Sequence, residues 1–204
     1  MRWLLPELYE FLAAALPLAL LLAAAPERSR RCRLALALLV IYLGLVFYVT
    51  GPGTLWDGVA HGFRLRPAKI NLIPFIRDIA PYRHWARNLA LCGLNVVLFV
   101  PLGLLVPAVW PAWDRWPRVA GLGAGFSLLI EACQLLNYRF CDVDDVICNA
   151  LGAALGWALL QGAKKLGLPT LAEEAWWQPP LYLLALSAGH FLLYWPDLAR
   201  RLAG

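Results

Sequence analysis

Six runs of apolar residues, each bounded by charged, aromatic or proline-bearing segments, set the pattern of this chain. They are Leu8–Ala25, Leu34–Thr50, Leu89–Trp110, Val119–Leu136, Val146–Leu160 and Leu181–Trp195. The first four approach the ~20 residues a helix needs to cross a bilayer. The last two are short, about 22 Å at 1.5 Å per residue, a mismatch that a thinned bilayer absorbs at small cost. Trp56, Trp85, Trp110, Trp113, Trp116, Trp176, Trp177 and Trp195 fall at or beside the ends of runs, where an interfacial aromatic belt belongs. The pattern predicts an all-α protein, a polytopic transmembrane helical bundle of about six spans.

Composition agrees. Of the 204 residues 61% are hydrophobic and only 15% charged, against about a quarter charged in soluble domains, and mean hydropathy is +0.63. The first run also mimics a cleavable signal peptide, with Arg2 ahead of it and Ala23–Ala25 behind. Glu7, Glu10 and Pro17 spoil that reading, and a retained first span is expected. The net charge of +5 does not point to nucleic acid. Arginines beside membrane spans serve topology and anionic headgroups, so the expected partners are the lipid bilayer and an anionic lipid or envelope precursor, with no nucleic acid. The five cysteines form no CxxC pair, and their odd number argues against a complete disulfide framework; most read as apolar fillers. His61, His84 and His190 lack ligand spacing, His190 reads as a hydrogen-bonded packing residue, and no cofactor is expected.

The chemistry concentrates where one apolar run yields to the next. Ionisable groups at membrane depth are costly, and are usually paired, inward-facing and functional. Glu131 and Gln134 stand i, i+3 on one face of the fourth span. Asp142, Asp145, Asn149, Gly152 and Gly156 run at steps of three and four, one stripe of a fifth helix that starts near Asp142; Gly152-x-x-x-Gly156 lets a neighbouring helix approach closely. Asp142 reads equally as a helix N-cap, with Asp144 and Asp145 as first-turn acids. Glu131 must be neutral, watered or paired, with Arg139 the nearest cation in sequence and Arg77, Arg83 and Arg87 further candidates. A second motif is Asn71-Leu-Ile-Pro74-Phe75, where Pro74 forces Ile73 out of the helical region; Asn71 either closes that turn or donates to the carboxylates. The third is Asn95-Val-Val-Leu-Phe-Val-Pro101-Leu-Gly103, in which Pro101 suggests a kink.

Two spans separate the 51–88 and 137–145 loops, so these share one face, and the N-terminus joins them if all six spans are real. Arg28, Arg30, Arg31, Arg33, Arg115, Arg118, Lys164 and Lys165 crowd short segments on the other, which makes that other face cytoplasmic and turns the polar loops outward. Asn95, Glu131, Gln134 and Asn149 then lie in one shallow layer beneath the outer surface.

The motifs Asn71–Phe75, Asn95–Gly103, Glu131-x-x-Gln134 and Arg139-x-x-Asp142-x-x-Asp145-x-x-x-Asn149-x-x-Gly152-x-x-x-Gly156, in this order, resemble those of the VanZ-like family of membrane proteins. The resemblance covers about residues 34–160. It implies a bundle in the bacterial cytoplasmic membrane with these loops extracytoplasmic, and its namesake lowers susceptibility to the glycopeptide teicoplanin. On this view 1–33 is an extra N-terminal span and basic loop, 34–162 the VanZ-like domain and 163–204 a C-terminal segment with a last span.

Two functions from different classes compete. One is a non-enzymatic binder of a lipid headgroup, envelope precursor or partner at the outer face, with a role in teicoplanin tolerance. The alternative is a membrane enzyme acting on a lipid-linked phosphate, with Asp142, Asp145 and Glu131 holding a divalent cation. No nucleophilic Ser or His stands at diagnostic spacing, which favours the binder. A proton or ion path ranks third, because only one polar layer is apparent.

Overall fold

A computed structural model describes residues 5–23, 30–62, 69–75, 85–137, 139–167 and 175–203. The chain forms α1 (Leu5–Ala23), α2 (Arg30–Thr50), α3 (Leu55–His61), β1 (Ile70–Asn71), α4 (Trp85–Val109), α5 (Trp116–Gln134), β2 (Cys141–Asp142), α6 (Val143–Lys165), α7 (Gln178–Leu193) and α8 (Pro196–Ala203). Five stretches are long and apolar enough to cross a membrane: Leu5–Ala23, Cys32–Ala60, Ala86–Val109, Trp116–Asn137 and Val143–Lys165. The sixth expected span is the 16-residue α7, about 24 Å long.

The fifth span was expected to be short. It is instead a helix of 23 residues, because the polar residues that bounded the apolar run belong to the helix: acids in its first turn and lysines in its last. The all-α expectation needs one amendment, a parallel pairing of two-residue strands with Ile70 opposite Cys141 and Asn71 opposite Asp142. Helix α3 also went unread within the 51–88 loop. A capping box starts it: the Thr54 hydroxyl accepts from the Asp57 amide (3.1 Å) and Asp57 Oδ2 accepts from the Thr54 amide (2.8 Å).

The chain divides into two compact units. The first comprises residues 1–69, 130–139 and 177–204. Here α1 packs against α7 through Ala13, Ala14 and Gly189; a Cβ on Gly189 would lie 2.5 Å from the Ala14 carbonyl oxygen and 2.6 Å from that of Ala13. Pro17 has no N–H to offer the Ala13 carbonyl, and Gly189 covers the place. Nearby, His190 is buried, with Nε2 3.1 Å from Glu10 Oε1 and its ring stacked on Phe47 at 5.0 Å. This is a hydrogen-bonded packing histidine, as its sequence context suggested. Tyr9 ties the far end of α7 by donating to the Leu193 carbonyl (2.7 Å) and accepting from the Trp195 amide (3.1 Å).

The second unit comprises residues 70–129 and 140–176, and its spine is a parallel pairing of α4 with α6. Matching positions differ by a constant 56 residues. A Cβ on Gly152 would stand 2.1 Å from the Val96 carbonyl oxygen, and one on Gly156 would stand 2.1 Å from that of Val100. One turn earlier in the same register Cys92 and Cys148, with a sequence separation of 56, form a disulfide. The sequence reading of most cysteines as apolar fillers does not hold for this pair. An odd total excludes complete pairing but not a single bridge, and two shallow helix positions facing each other at i and i+56 allow one. On the far side of α6, Leu151, Leu155 and Leu159 are exposed, as a lipid-facing row should be. Phe99 and Phe126 meet at 5.9 Å between ring centroids, bringing α5 onto α4.

At the C-terminal end of this helix pair, Asp114 gathers three donors from one face of α6. Its Oδ1 accepts from Trp157 Nε1 (2.8 Å) and Gln161 Nε2 (2.6 Å), and its Oδ2 pairs with Lys164 Nζ. Burial acts to raise this carboxyl, but the hydrogen bonds from Lys164, Trp157 and Gln161 and the charge of Lys164 outweigh it and hold the group below its ordinary range. A carboxylate held low stabilises the fold above its unfolded-state pKa of about 3.9, and that contribution fades as pH drops through the lowered value. Asp114→Asn is therefore expected to cost about 1–2 kcal/mol at neutral pH. The gap between variant and wild type should begin to narrow in melts taken below about pH 4 and go on narrowing as the pH falls further. A gap that persists unchanged at pH 3 would reject the charge-based account.

Candidate functional site

The start of α6 organises the polar cap of the second unit. Asp142 is its N-cap, with side-chain Oδ1 accepting from the Asp144 amide at 3.1 Å. Both readings open in the sequence hold for Asn71. Its Oδ1 accepts from the Ile73 amide (3.2 Å), closing the turn that Pro74 demands, while its Nδ2 donates to Asp142 Oδ1 (2.9 Å). Asp144 fastens the other end of the same turn: Oδ1 accepts from the Phe75 amide at 2.8 Å. Phe75 has φ +55°, a left-handed conformation uncommon for a bulky residue, and its amide is held in place there. The turn as held leaves Leu72, Ile73 and Phe75 exposed, and Phe140 is exposed too.

One turn deeper, Asp145 Oδ1 accepts from Asn95 Nδ2 at 2.5 Å, joining α4 to α6 beside the disulfide. Deeper again, Asn149 Nδ2 donates to the Ser127 hydroxyl at 2.8 Å, and both residues are buried. The Asn149 Oδ1 atom is enclosed without a hydrogen-bond partner among the described residues. A buried acceptor left unmatched costs about 1–3 kcal/mol and marks a place for a donor. Gly152 and Gly156 continue the stripe as the contact with α4. Among the described residues, no three His, Cys, Asp or Glu side chains converge as a metal-ligand group.

Glu131, Gln134 and Arg139 lie in the first unit. Glu131 and Gln134 are buried there. Gln134 Nε2 donates to the Thr50 carbonyl (2.8 Å) and Asn137 Nδ2 to the Gly51 carbonyl (3.0 Å), so this segment satisfies carbonyls at the end of α2 that the helix cannot. Gly51 has φ +52°, and the Arg139 guanidinium lies where its Cβ would be, with Nη1 at 2.6 Å. Arg139 itself is exposed. Arg64, Arg66, Arg77 and Arg83 lie outside the described residues, and Arg87 is exposed.

Sequence reasoning treated Asp144 as a first-turn acid and passed over Ser127 and Asn137. The first needed the partner turn at residue 75 and the second needed the packing of α5. Asn137 had a signal, since the Gly51-Pro-Gly53 turn must find donors for its carbonyls.

The sequence profile of the VanZ/LLP1 family matches residues 34–164, well over half of the chain. The chain belongs to the VanZ/LLP1 family. The matched span holds the whole VanZ/LLP1 polar cap, from Asn71 through Gly156, and both cysteines of the disulfide. No curated protein and no solved structure matches the chain.

Proposed function

We propose that this VanZ-like membrane protein is a non-enzymatic binder of an amphiphilic envelope component, a lipid headgroup or lipid-linked precursor, at the outer membrane face. The observation that carries the reading is the fastened turn at 71–75. Two carboxylates of the α6 start hold it in a costly conformation, and it presents apolar side chains directly beside a polar cap. Such strain persists where the surroundings over-determine it, commonly at ligand clamps. The apolar tip suits the acyl region. Asn71, Pro74, Asn95, Asp142, Asp145 and Asn149 shape the polar side, and Asn149 Oδ1 offers an acceptor beneath it. Glu131, Gln134 and Arg139 belong to the same proposal as a polar group of the first unit.

The outward orientation rests on arginine density and on the Cys92–Cys148 bridge, since disulfides persist in oxidising compartments. A role in teicoplanin tolerance is part of the reading. The enzyme alternative is less favoured because Asp142, Asp144 and Asp145 each accept from a donor of the chain itself, which uses them as scaffold.

A photo-crosslinking residue in place of Ile73 tests this in intact cells. An envelope lipid or precursor should be captured out of proportion to its abundance, and Asp144→Ala should cut capture severalfold. A membrane-impermeant thiol reagent should label Phe140→Cys in the same cells, in a background without Cys32, Cys133 and Cys141, and deletion should increase teicoplanin susceptibility. Capture that follows bulk lipid abundance and ignores Asp144→Ala would remove the binder. Saturable Mg²⁺ or Mn²⁺ stabilisation abolished by Asp145→Asn would promote the enzyme.

A further inference from the structure

The end of the second unit remote from the polar cap carries a feature that the proposed binding does not use. Between the end of α4 and the first turn of α5, and at the close of α6, the cations are Arg115, Arg118, Lys164 and Lys165, and the one acid among the described residues of this end is Asp114. That acid is already committed to Lys164, Trp157 and Gln161. It pins the α5 start to the last turns of α6, so that Arg115, next to Asp114, and Lys165, next to Lys164, flank one ion pair. Arg115 and Lys165 are exposed, and neither side chain has a hydrogen-bond or ion-pair partner among the described residues. Arg118 is exposed as well, its Nη1 folded back to donate to the Ala112 carbonyl.

The surroundings decide what kind of anion this patch meets. It sits where α4 ends at Val109 and α5 begins at Trp116, at the boundary of three bilayer-length helices. Trp116 is 57% exposed and Trp176 66% exposed, with the Trp176 carbonyl held by Trp113 Nε1 at 2.7 Å. Exposed indoles of this kind lie at headgroup level. The positive end of the α5 dipole adds to the field, while the lysines offset the negative end of α6. Anionic lipids attract such clusters with an effect of roughly fivefold in affinity per cation, and arginine adds paired donors that match phosphate geometry.

We propose that Arg115, Arg118 and Lys165, seated by the Asp114–Lys164 pair and flanked by Trp116, form a binding site for the phosphate of an anionic phospholipid in the adjoining leaflet. The site is separate from the polar cap, and its occupant is a bilayer lipid rather than an envelope precursor.

Native mass spectrometry of the full chain, with phosphatidylglycerol or phosphatidylcholine added at equal concentration, reads the preference directly. Wild type should retain phosphatidylglycerol at least tenfold more. Arg115→Gln and Lys165→Gln should each lower that preference roughly fivefold, and the triple variant with Arg118→Gln should abolish it. The single variants keep the test decisive if the triple variant does not fold. Arg200→Gln/Arg201→Gln, which alters exposed cations of α8 in the other unit, should leave the preference intact. Equal retention of the two lipids by wild type, unchanged preference in both single variants, or equal loss in the α8 variant would each overturn the assignment.

Discussion

Gly152→Leu will yield no stably folded protein, and Gly152→Ala will cost about 3 kcal/mol. The reason is what the added atoms would meet. A single Cβ at Gly152 would come within 2.1 Å of a main-chain oxygen of α4, and main chain inside a packed helix cannot swing aside as a flexible side chain can. Gly156 and Gly103 should behave alike, since their added carbons would lie 2.1 Å and 2.0 Å from carbonyl oxygens. Gly125, also within a span, has nothing within 4 Å of its missing Cβ. Gly125→Ala is therefore expected to be neutral or mildly stabilising, because alanine is the better helix former. Detergent melts of the four alanine variants measure this, and a Gly152→Ala protein that melts with wild type would disprove the α4–α6 register.

The next largest effect is expected at Asp142. Asp142→Ala removes the N-cap, worth about 1–2 kcal/mol, and strands the Asn71 amide, adding about 1 kcal/mol. The combined loss should be about 2–3 kcal/mol, with proteolysis appearing first at residues 69–75 as the strand pairing fails. Asp142→Asn separates geometry from charge. An asparagine oxygen still accepts from both donors, so this variant should lose less than half as much. Comparable losses in the two variants would show that the negative charge, not the hydrogen bonding, is what the site needs.

The spans were legible because a bilayer demands long apolar runs, and five of the six appear as bilayer-length helices. The α6 stripe was legible because helical steps of three and four place Asp142, Asp145, Asn149 and Gly152 together whatever else the chain does. Partners were harder. Nothing local announces that Asn95 will reach Asp145, or that Ser127 will take the Asn149 amide; each depends on how far one helix is slid along another. The α4–α6 register that brings Asn95 to Asp145 also makes Cys92 and Cys148 neighbours, and counting cysteines could not reveal it. Reading apolar runs alone also trimmed the C-terminal end of α6, which hid Lys164 and Gln161 from Asp114. The break after Thr50 was legible, because Gly51-Pro52-Gly53 bounds the apolar run there and the helix ends at Thr50.

The parallel pairing of α4 with α6 has a consequence for how the protein is made. Two neighbouring helices that run the same way must be joined by a third that returns across the membrane, so α4 enters the bilayer well before its partner exists. With matched positions separated by 56 residues, a ribosome adding about 5–20 residues per second leaves an interval of roughly 3–11 s. During that interval the Val96, Val100 and Gly103 face of α4 has only lipid, the insertion machinery or the emerging α5 to cover it. A ribosome stalled before codon 152 would leave that face unmatched, and quality-control proteases of the membrane would meet it in that state.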